Sequence, residues 1–308
     1  MTLKYPSENP APGKVILSFD IEAAYHIHAA RSCRLKSFIR AELCQRVVPQ
    51  VEWLRRVLEK HIARATFFWV GELAWEIPYL VRAVYRDGHE IGCHGWSHRT
   101  LSDLGETEFV QDVQLNKSVL EDITGDSVIG FRAPTFSLTE KTGWGVEVLS
   151  QLGFAYDSSV YPVIHDQYGV SNAPRGPFRV KHRQAELLEF PPATWQVGPI
   201  RLAIGGGGHF RFWPLIFSHA GIRQLLEETG YATVYFHPWE FDEKQPRLPL
   251  NWFRRWRTYV GIRKTKNKLQ ALLRQYRCIS ARQALKELDS RRECLPSFRL
   301  GESANDCD

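Results

Sequence analysis

The sequence predicts an α/β fold built on a parallel sheet or barrel. Strand-like and helix-like stretches alternate repeatedly, and the strand-like ones are near-continuous apolar runs, as expected of strands covered on both faces. A third observation is positional. Asp20, His94, Arg132 and His237 each fall at or just past the end of such a run, where α/β barrels build their working face.

In order along the chain, Lys14 to Asp20 (KVILSFD) reads as a buried strand ending in an acid. From Ala41 to Lys60, Leu43, Val47, Val51, Leu54 and Leu58 recur at helical spacing. Residues 65–70 form a second strand closed by Gly71, and a helix through 79–85 stops at Asp87-Gly88. Residues 89–94 read as a third short strand, 107–123 as a helix and 127–131 as a strand running into Arg132-Ala133-Pro134. A helix over 144–152 and a strand over 155–158 complete the readable alternation. No linker divides the chain before about Pro246. Residues 1–294 therefore read as one domain with a basic segment at 246–294, and 295–308 as a polar, flexible tail.

The chain has 308 residues and a formal net charge of +6, with the excess concentrated late. Arg254, Arg255, Arg257, Arg263, Lys264, Lys266 and Lys268 are interleaved with aromatics. Such a run is either a solvated helix face or a surface for anionic lipid or phosphate. No nucleic-acid reading motif accompanies it, so nucleic acid is disfavoured. Six cysteines without CxxC spacing fit a reducing compartment. The N-terminal residues lack an apolar stretch, and no apolar run is long enough to span a bilayer. The expected location is the cytoplasm, extending to the inner face of a membrane.

Two places carry the chemistry. Asp20-Ile21-Glu22 offers two carboxylates, and His94-Gly-Trp-Ser-His98 offers two imidazoles that a helical turn would bring to one face. Two histidines and one carboxylate would hold a divalent ion and leave positions open for water. No HExxH is present. His26, His28 and His89 lack comparable partner spacing and read as structural or surface residues. Gly205 to Gly208 lack the Lys-Ser/Thr of a phosphate-binding loop and read as bare backbone that allows close approach. Beside them, His209 and Arg211 are candidates for touching a phosphate. Trp195, Phe210, Trp213 and Trp239 are candidates for a sugar platform, weighed against core packing.

Taken in order, the strand with Asp-Ile-Glu, the HxxxH pair, Gly130-Phe-Arg-Ala-Pro-Thr-Phe136 and Val234-Tyr-Phe-His-Pro238 resemble the polysaccharide deacetylase family, the NodB-like carbohydrate esterases. The resemblance spans roughly residues 14 to 290. Tyr156-Asp-Ser-Ser159, the stretch from Gly205 to Pro214, His237-Pro-Trp-Glu-Phe-Asp242 and the basic segment with Tyr259 are similar to its exopolysaccharide- and exosortase-associated subgroup. The resemblance implies a distorted (β/α)7 barrel that hydrolyses an N-acyl, typically N-acetyl, group on an amino sugar. It implies Asp20 as general base, Glu22, His94 and His98 as metal ligands, and Arg132 as the residue orienting Asp20. It further implies the Thr135 backbone N–H as oxyanion donor, His237 as general acid, and a metal-activated water as nucleophile. Zinc (Zn2+) is the default metal for such a donor set, with cobalt, nickel and iron (Co2+, Ni2+, Fe2+) as alternatives. The substrate would be a glycan, a lipid-linked sugar or a nucleotide sugar.

The chain departs from the familiar pattern in three ways. Ile21 separates acids that are usually adjacent, the second acid is Glu, and Ala23 stands where the subgroup often has Asp. After Asp157-Ser-Ser, Val160-Tyr161 stands where many relatives continue the segment that supplies the histidine's acidic partner, which makes Glu240 and Asp242 candidates for that partner and Asp157 equally a structural hydrogen-bonding residue. The altered acidic segment also motivates a second reading, a glycan-binding protein of the same fold without turnover.

Overall fold

The structure is a computed structural model that describes residues 13–31, 33–165 and 168–301. The elements run β1 (Lys14–Ile21), α1 (Ser37–Gln45), α2 (Val47–Lys60), β2 (Thr66–Trp69), α3 (Gly71–Glu76), α4 (Pro78–Arg86), β3 (Glu90–Cys93) and α5 (Leu101–Thr124). They continue with β4 (Gly130–Phe131), α6 (Trp144–Gln151), β5 (Tyr156–Asp157), β6 (Phe178–His182), β7 (Ala185–Glu189), β8 (Thr194–Val197) and β9 (Ile200–Ala203). The last are α7 (Gly207–Phe212), α8 (Leu215–Thr229), β10 (Tyr231–Phe236), α9 (Trp252–Tyr259), α10 (Ile262–Gln275), β11 (Cys278–Ile279), α11 (Ala281–Leu288) and β12 (Ser297–Arg299).

The main sheet has the order β10-β1-β2-β3-β4-β5-β7-β6-β12, with β11 also pairing β1. Every pair in it is parallel except β6–β7. The sheet curls, and bridges Pro192↔Thr233 and Gly206↔Tyr235 tie the chain beyond β7 back to β10. Seven neighbours, β10 through β5 and then β7, thus make the circuit of the distorted barrel. Gly205 and Gly206 make that closure possible. A Cβ at Gly205 would lie 2.6 Å from the Ala193 nitrogen, and one at Gly206 would lie 2.2 Å from the Tyr235 carbonyl oxygen. The glycine run is therefore a close approach of chain to chain.

β1 is the central strand. It is buried from Val15 to Ile21 and flanked by β10 and β2, with Phe19 opposite Phe236 and Asp20 opposite Phe68. Its mostly apolar run, broken by the buried Ser18 and Asp20, reflects burial on both faces.

The helices differ from sequence expectation where local chemistry intervenes. The helix expected from 41 to 60 is two helices meeting at Arg46, because Pro49 has no N–H to donate to the Gln45 carbonyl. The Arg46 guanidinium is gripped by Asp242 through two hydrogen bonds of 2.6 and 2.9 Å. α5 begins six residues before the expected 107, at a Thr100–Asp103 capping box. Gly105, at φ 67°, interrupts its first turns and hides that start from periodicity. The expected flexible tail is ordered to residue 301. β12 pairs with β6, Leu300 is fully buried, and the Leu300 carbonyl accepts from His182 Nδ1 at 2.6 Å. Residues 302–308 lie outside the described residues.

No described helix is long and apolar enough to cross a membrane. Cys33, Cys44, Cys93, Cys278 and Cys294 are free thiols.

One buried cation anchors α7. Lys268 Nζ donates to the Phe210, Arg211 and Trp213 carbonyls at 2.8, 2.9 and 2.6 Å, which satisfies the C-terminal end of that short helix. Lys268→Met should lower stability by about 2–4 kcal/mol, because three buried carbonyls lose a charged donor. Chemical denaturation checks this, and an unchanged midpoint would contradict it.

Candidate functional site

Strand ends supply the site. Asp20 and Glu22 are two residues apart at the end of β1, so strand periodicity sends both carboxylates to one side. Both are only 2% exposed. His94 follows β3, Arg132 follows β4, and His237 follows β10. Parallel alignment puts all these ends on one rim.

Arg132 is fully buried and makes four hydrogen bonds from its guanidinium. It donates to Asp20 Oδ1 at 2.8 Å, Ser18 Oγ at 2.7 Å, the Ser158 carbonyl at 2.9 Å and Ser158 Oγ at 2.6 Å. Its guanidinium lies 4.5 Å from the Phe68 ring centre, so the ion pair is locked by packing as well as charge. Ser18 and Ser158 give no sequence signal of this role; they are ordinary strand-end serines until the fold joins them.

Glu22, His94 and His98 offer ligand atoms that all lie within 4.8 Å of one another. His94 Nδ1 sits 2.7 Å from the Arg132 carbonyl, which makes Nδ1 the protonated nitrogen and leaves Nε2 as the donor to an ion. Burial pushes the His94 pKa down to about 4, with His98 adding to that against the opposing pull of Asp20 and Glu22; the ring is neutral and ligand-ready. His98 Nε2 contacts Glu22 Oε2 at 2.7 Å. Burial works to raise the Glu22 pKa, but His98, His237 and His26 outweigh it and hold the carboxyl below the ordinary range.

These residues fit a divalent ion. The donors are two imidazoles and an ionised carboxylate, and His98 Nδ1 is a buried ring nitrogen with no protein partner. The pair is not on a helical turn, however. It spans a loop in which Gly95 and His98 both adopt left-handed backbone, at φ 70° and 55°. Asp112 holds this loop by accepting from the Trp96 N–H at 2.6 Å and the Ser97 hydroxyl at 2.9 Å. Sequence reading did not single out Asp112, since one acid among the several of α5 carries no distinguishing mark.

His237 sits across from the carboxylates. Its Nε2 lies 3.7 Å from Asp20 Oδ2 and 3.8 Å from Glu22 Oε1. Its Nδ1 is 2.7 Å from Glu240 Oε1, which also accepts the His237 backbone N–H at 2.9 Å. Of the two acids considered as its partner, the geometry brings Glu240 to the ring. Asp242 is occupied by Arg46. Asp157 is elsewhere, bonded to Ser159 and beside Glu189. Burial alone would lower the His237 pKa, but the hydrogen bond and charge of Glu240, with Glu22 and Asp20, raise it to about 9.

Behind Glu240 stands Arg211, 3% exposed, with Nε 3.1 Å from Glu240 Oε2 and its guanidinium 5.0 Å from the Trp239 ring centre. Trp239 stacks on His237 at 5.2 Å and donates its indole N–H to Glu22 Oε1 at 3.0 Å. Arg211 and Trp239 thus brace the acid histidine and the carboxylate. Phe210 is fully buried and packs against Phe236 as core, so burial corrects its reading as a sugar platform. Trp195 and Trp213 meet at Phe217 on α8, while His209 is exposed on α7. Thr135 and Phe136 both have left-handed backbone, φ 58° and 53°, beside the Ala133-Pro134 turn that follows Arg132. Left-handed backbone in two consecutive non-glycine residues is strained and persists only because the surrounding structure holds it.

His26 is a structural residue, as its lack of partner spacing suggests. It is buried, its Nδ1 accepts the Ala23 N–H at 3.0 Å, and its ring centre is 5.5 Å from that of His98. It therefore borders the metal-type cluster, although no spacing in the sequence links it to the pair at 94 and 98. His89 packs against Phe67, as a structural residue should. The side chain of His28 lies outside the described residues.

Fold and site define an α/β barrel protein with an acid–imidazole centre on the carboxyl-terminal rim of its strands. Residues 48–156 match the polysaccharide deacetylase family model, and residues 158–286 match a domain of unknown function, DUF3473. Over residues 48–156 the chain is therefore similar to the polysaccharide deacetylase family. The first match contains His94, His98, Arg132 and Thr135; the second contains Arg211, His237, Trp239 and Glu240; Asp20 and Glu22 precede both.

Among relatives, the peptidoglycan-N-acetylglucosamine deacetylase of Bacillus cereus is 30% identical over 103 residues, 32% of this chain and 38% of that protein. The chitooligosaccharide deacetylase of Azorhizobium caulinodans is 38% identical over 79 residues, 25% of this chain and 38% of that protein. The chain thus aligns with under two-fifths of the length of these relatives. Among solved structures, a Mycobacterium smegmatis protein described provisionally as a polysaccharide deacetylase superposes with TM-score 0.63 at 16% identity, covering 98% of this chain and 99% of that one. That likeness establishes the shared fold.

Proposed function

We propose that this protein removes an N-acetyl group from an amino sugar of a polysaccharide or of a glycan precursor. The observation that supports the reading is a held imidazole facing a held carboxylate. His237 Nε2 and Asp20 Oδ2 are 3.7 Å apart, and each is fixed from behind, His237 by Glu240 and Asp20 by Arg132.

In this reading Asp20 accepts the proton of the attacking water, with Arg132 fixing its orientation. His237, held as imidazolium by Glu240, hands a proton to the departing amine nitrogen, which is a poor leaving group until protonated. The Thr135 N–H supports charge on the acyl oxygen. Glu22, His94 and His98 would hold the divalent cation, which when bound lowers the pKa of water and polarises the acyl carbonyl. Zinc suits the donor set, and cobalt, nickel and iron are the alternatives to assay. The relatives named for peptidoglycan and chitooligosaccharides support N-acetylglucosamine-type substrates.

The test is acetate release from N-acetylglucosamine oligomers, peptidoglycan, lipid-linked sugars and nucleotide sugars, with each metal supplied in turn. Release from any of them supports the reading. Tight glycan binding with no release under any metal would overturn it in favour of a binding protein.

A pH prediction follows from the His237 environment. The acid must be protonated, and its pKa is raised to about 9. Turnover should therefore hold at neutral pH and fall as pH rises through that value. Glu240→Gln removes the raising charge, so the alkaline limb should move to lower pH. A kcat–pH profile checks this, alongside a melting curve because Arg211 loses its buried partner. An unmoved alkaline limb in a folded Glu240→Gln protein would refute the assignment.

A further inference from the structure

Outside the site, the chain exposes an aromatic surface that no catalytic role absorbs. Trp252, Phe253 and Trp256 on α9 are 81%, 51% and 50% exposed, and Phe212 and Phe217 are 50% and 40% exposed. They form one connected surface rather than scattered rings. Trp252–Phe253, Phe253–Trp256 and Trp256–Phe212 centres are 5.8, 6.5 and 5.7 Å apart. Trp213 then links Phe212 to Phe217, at 5.4 and 6.0 Å. Single exposed apolar residues are ordinary, whereas a contiguous cluster of large rings marks an interaction surface.

Charge decides what covers it. α9 reads Trp-Phe-Arg-Arg-Trp-Arg-Thr-Tyr and buries only Thr258, so its rings and its three arginines face outward together. Asp and Glu are absent from residues 190–226, which hold Phe212 and Phe217, and from 244–286, which hold α9 and 13 Lys and Arg residues. A second copy of the chain seated on this face would set arginines against arginines with no acid in either segment to answer them. A bilayer supplies what the surface lacks: an apolar interior for the rings and anionic headgroups for the guanidinium groups. Short Trp- and Arg-rich helices lying in the membrane interface have this composition.

We propose that α9, with Phe212 and Phe217, docks this protein on the surface of an anionic lipid bilayer. The surface is linked to the site along the chain, since Phe212 follows directly on Arg211, which braces Glu240 behind His237. The inference does not depend on the deacetylase reading.

The test is flotation of the full chain with vesicles of phosphatidylcholine alone and of phosphatidylcholine mixed with phosphatidylglycerol, at low and high salt. Partition onto the anionic vesicles should exceed that onto neutral ones by roughly tenfold or more and weaken with salt. Tryptophan emission should shift to the blue on binding. Trp252→Ser with Trp256→Ser, and separately Arg254→Gln with Arg255→Gln and Arg257→Gln, should each reduce partition about tenfold. These side chains are exposed, and circular dichroism verifies that the variants are folded. Equal partition of wild type and both variants, or no partition onto either vesicle, would overturn the proposal. So would a dimer in sedimentation that the tryptophan variant dissolves, or capture of a soluble glycan by this face without vesicle binding. Acetate release can be followed in the same variants on a soluble substrate, so failure of docking and failure of the catalytic reading show separately.

Discussion

Asp20→Asn should lower the rate of acetate release by about 10²- to 10⁴-fold, the range typically lost with a positioned general base. The substitution keeps the shape of the side chain and an oxygen that can accept from Arg132 Nη1, now 2.8 Å away. It removes the basicity and one half of a fully buried ion pair. Breaking such a pair costs about 3–5 kcal/mol when the remaining charge stays buried. Here the Asn oxygen and Ser18, together with both Ser158 acceptors, still serve Arg132, so the loss should fall toward the lower end. Single-turnover kinetics at a temperature well below the measured melting point separates the two effects. A folded Asp20→Asn protein with wild-type kcat would remove Asp20 from the role of base.

Glu22→Ala should cost about 10³-fold or more in activity, together with most of the bound metal. The carboxylate is the only acid among the three candidate ligands, and several kcal/mol of charge stabilisation go with the ion. Elemental analysis after dialysis should find near one equivalent of divalent metal in the wild type and much less in the variant. High added metal should restore part of the activity, which a merely structural defect would not allow. His98→Ala should behave alike, since its Nε2 meets Glu22 in the same cluster. Wild-type metal content in both variants would mean that the ion is held elsewhere. A change at Trp239 is expected to be gentler, because its indole N–H only orients Glu22.

Much of this molecule was legible along the chain. Strands were readable because burial on both faces leaves continuous apolar runs, and β1, β2 and β3 lie within a residue or so of the expected bounds. Helix α2 was readable from the period of Val47, Val51, Leu54 and Leu58, all buried. Boundaries were less legible. Pro49 split one expected helix, Gly105 masked the start of another, and β12 emerged from a polar segment whose stability comes from pairing with β6 rather than from its own composition.

The residues of the candidate centre follow the same division. Asp20, Glu22, His94, His98, Arg132 and His237 could be named in advance, because residue type and place at strand ends are properties of sequence. Their partners could not. Glu240 and Asp242 were equal candidates for His237 until Arg46, about 200 residues away, took Asp242 and left Glu240 to the ring. Arg211 and Trp239 had the composition of ligand contacts, yet burial turns them inward as braces. His26, Ser18 and Asp112 carried no pattern at all.

What the sequence determined by itself was the α/β alternation, the buried central strand, and the acids and imidazoles that stand where strands stop. These are local, because periodicity and residue chemistry act over a few neighbours. The tertiary structure alone decided which carboxylate faces which imidazole, which arginine is spent on an ion pair, and that rings from α7, α8 and α9 share one surface. Those are contacts between residues far apart in the chain. Their energies depend on distance and on the exclusion of water, which exist only once the barrel has closed.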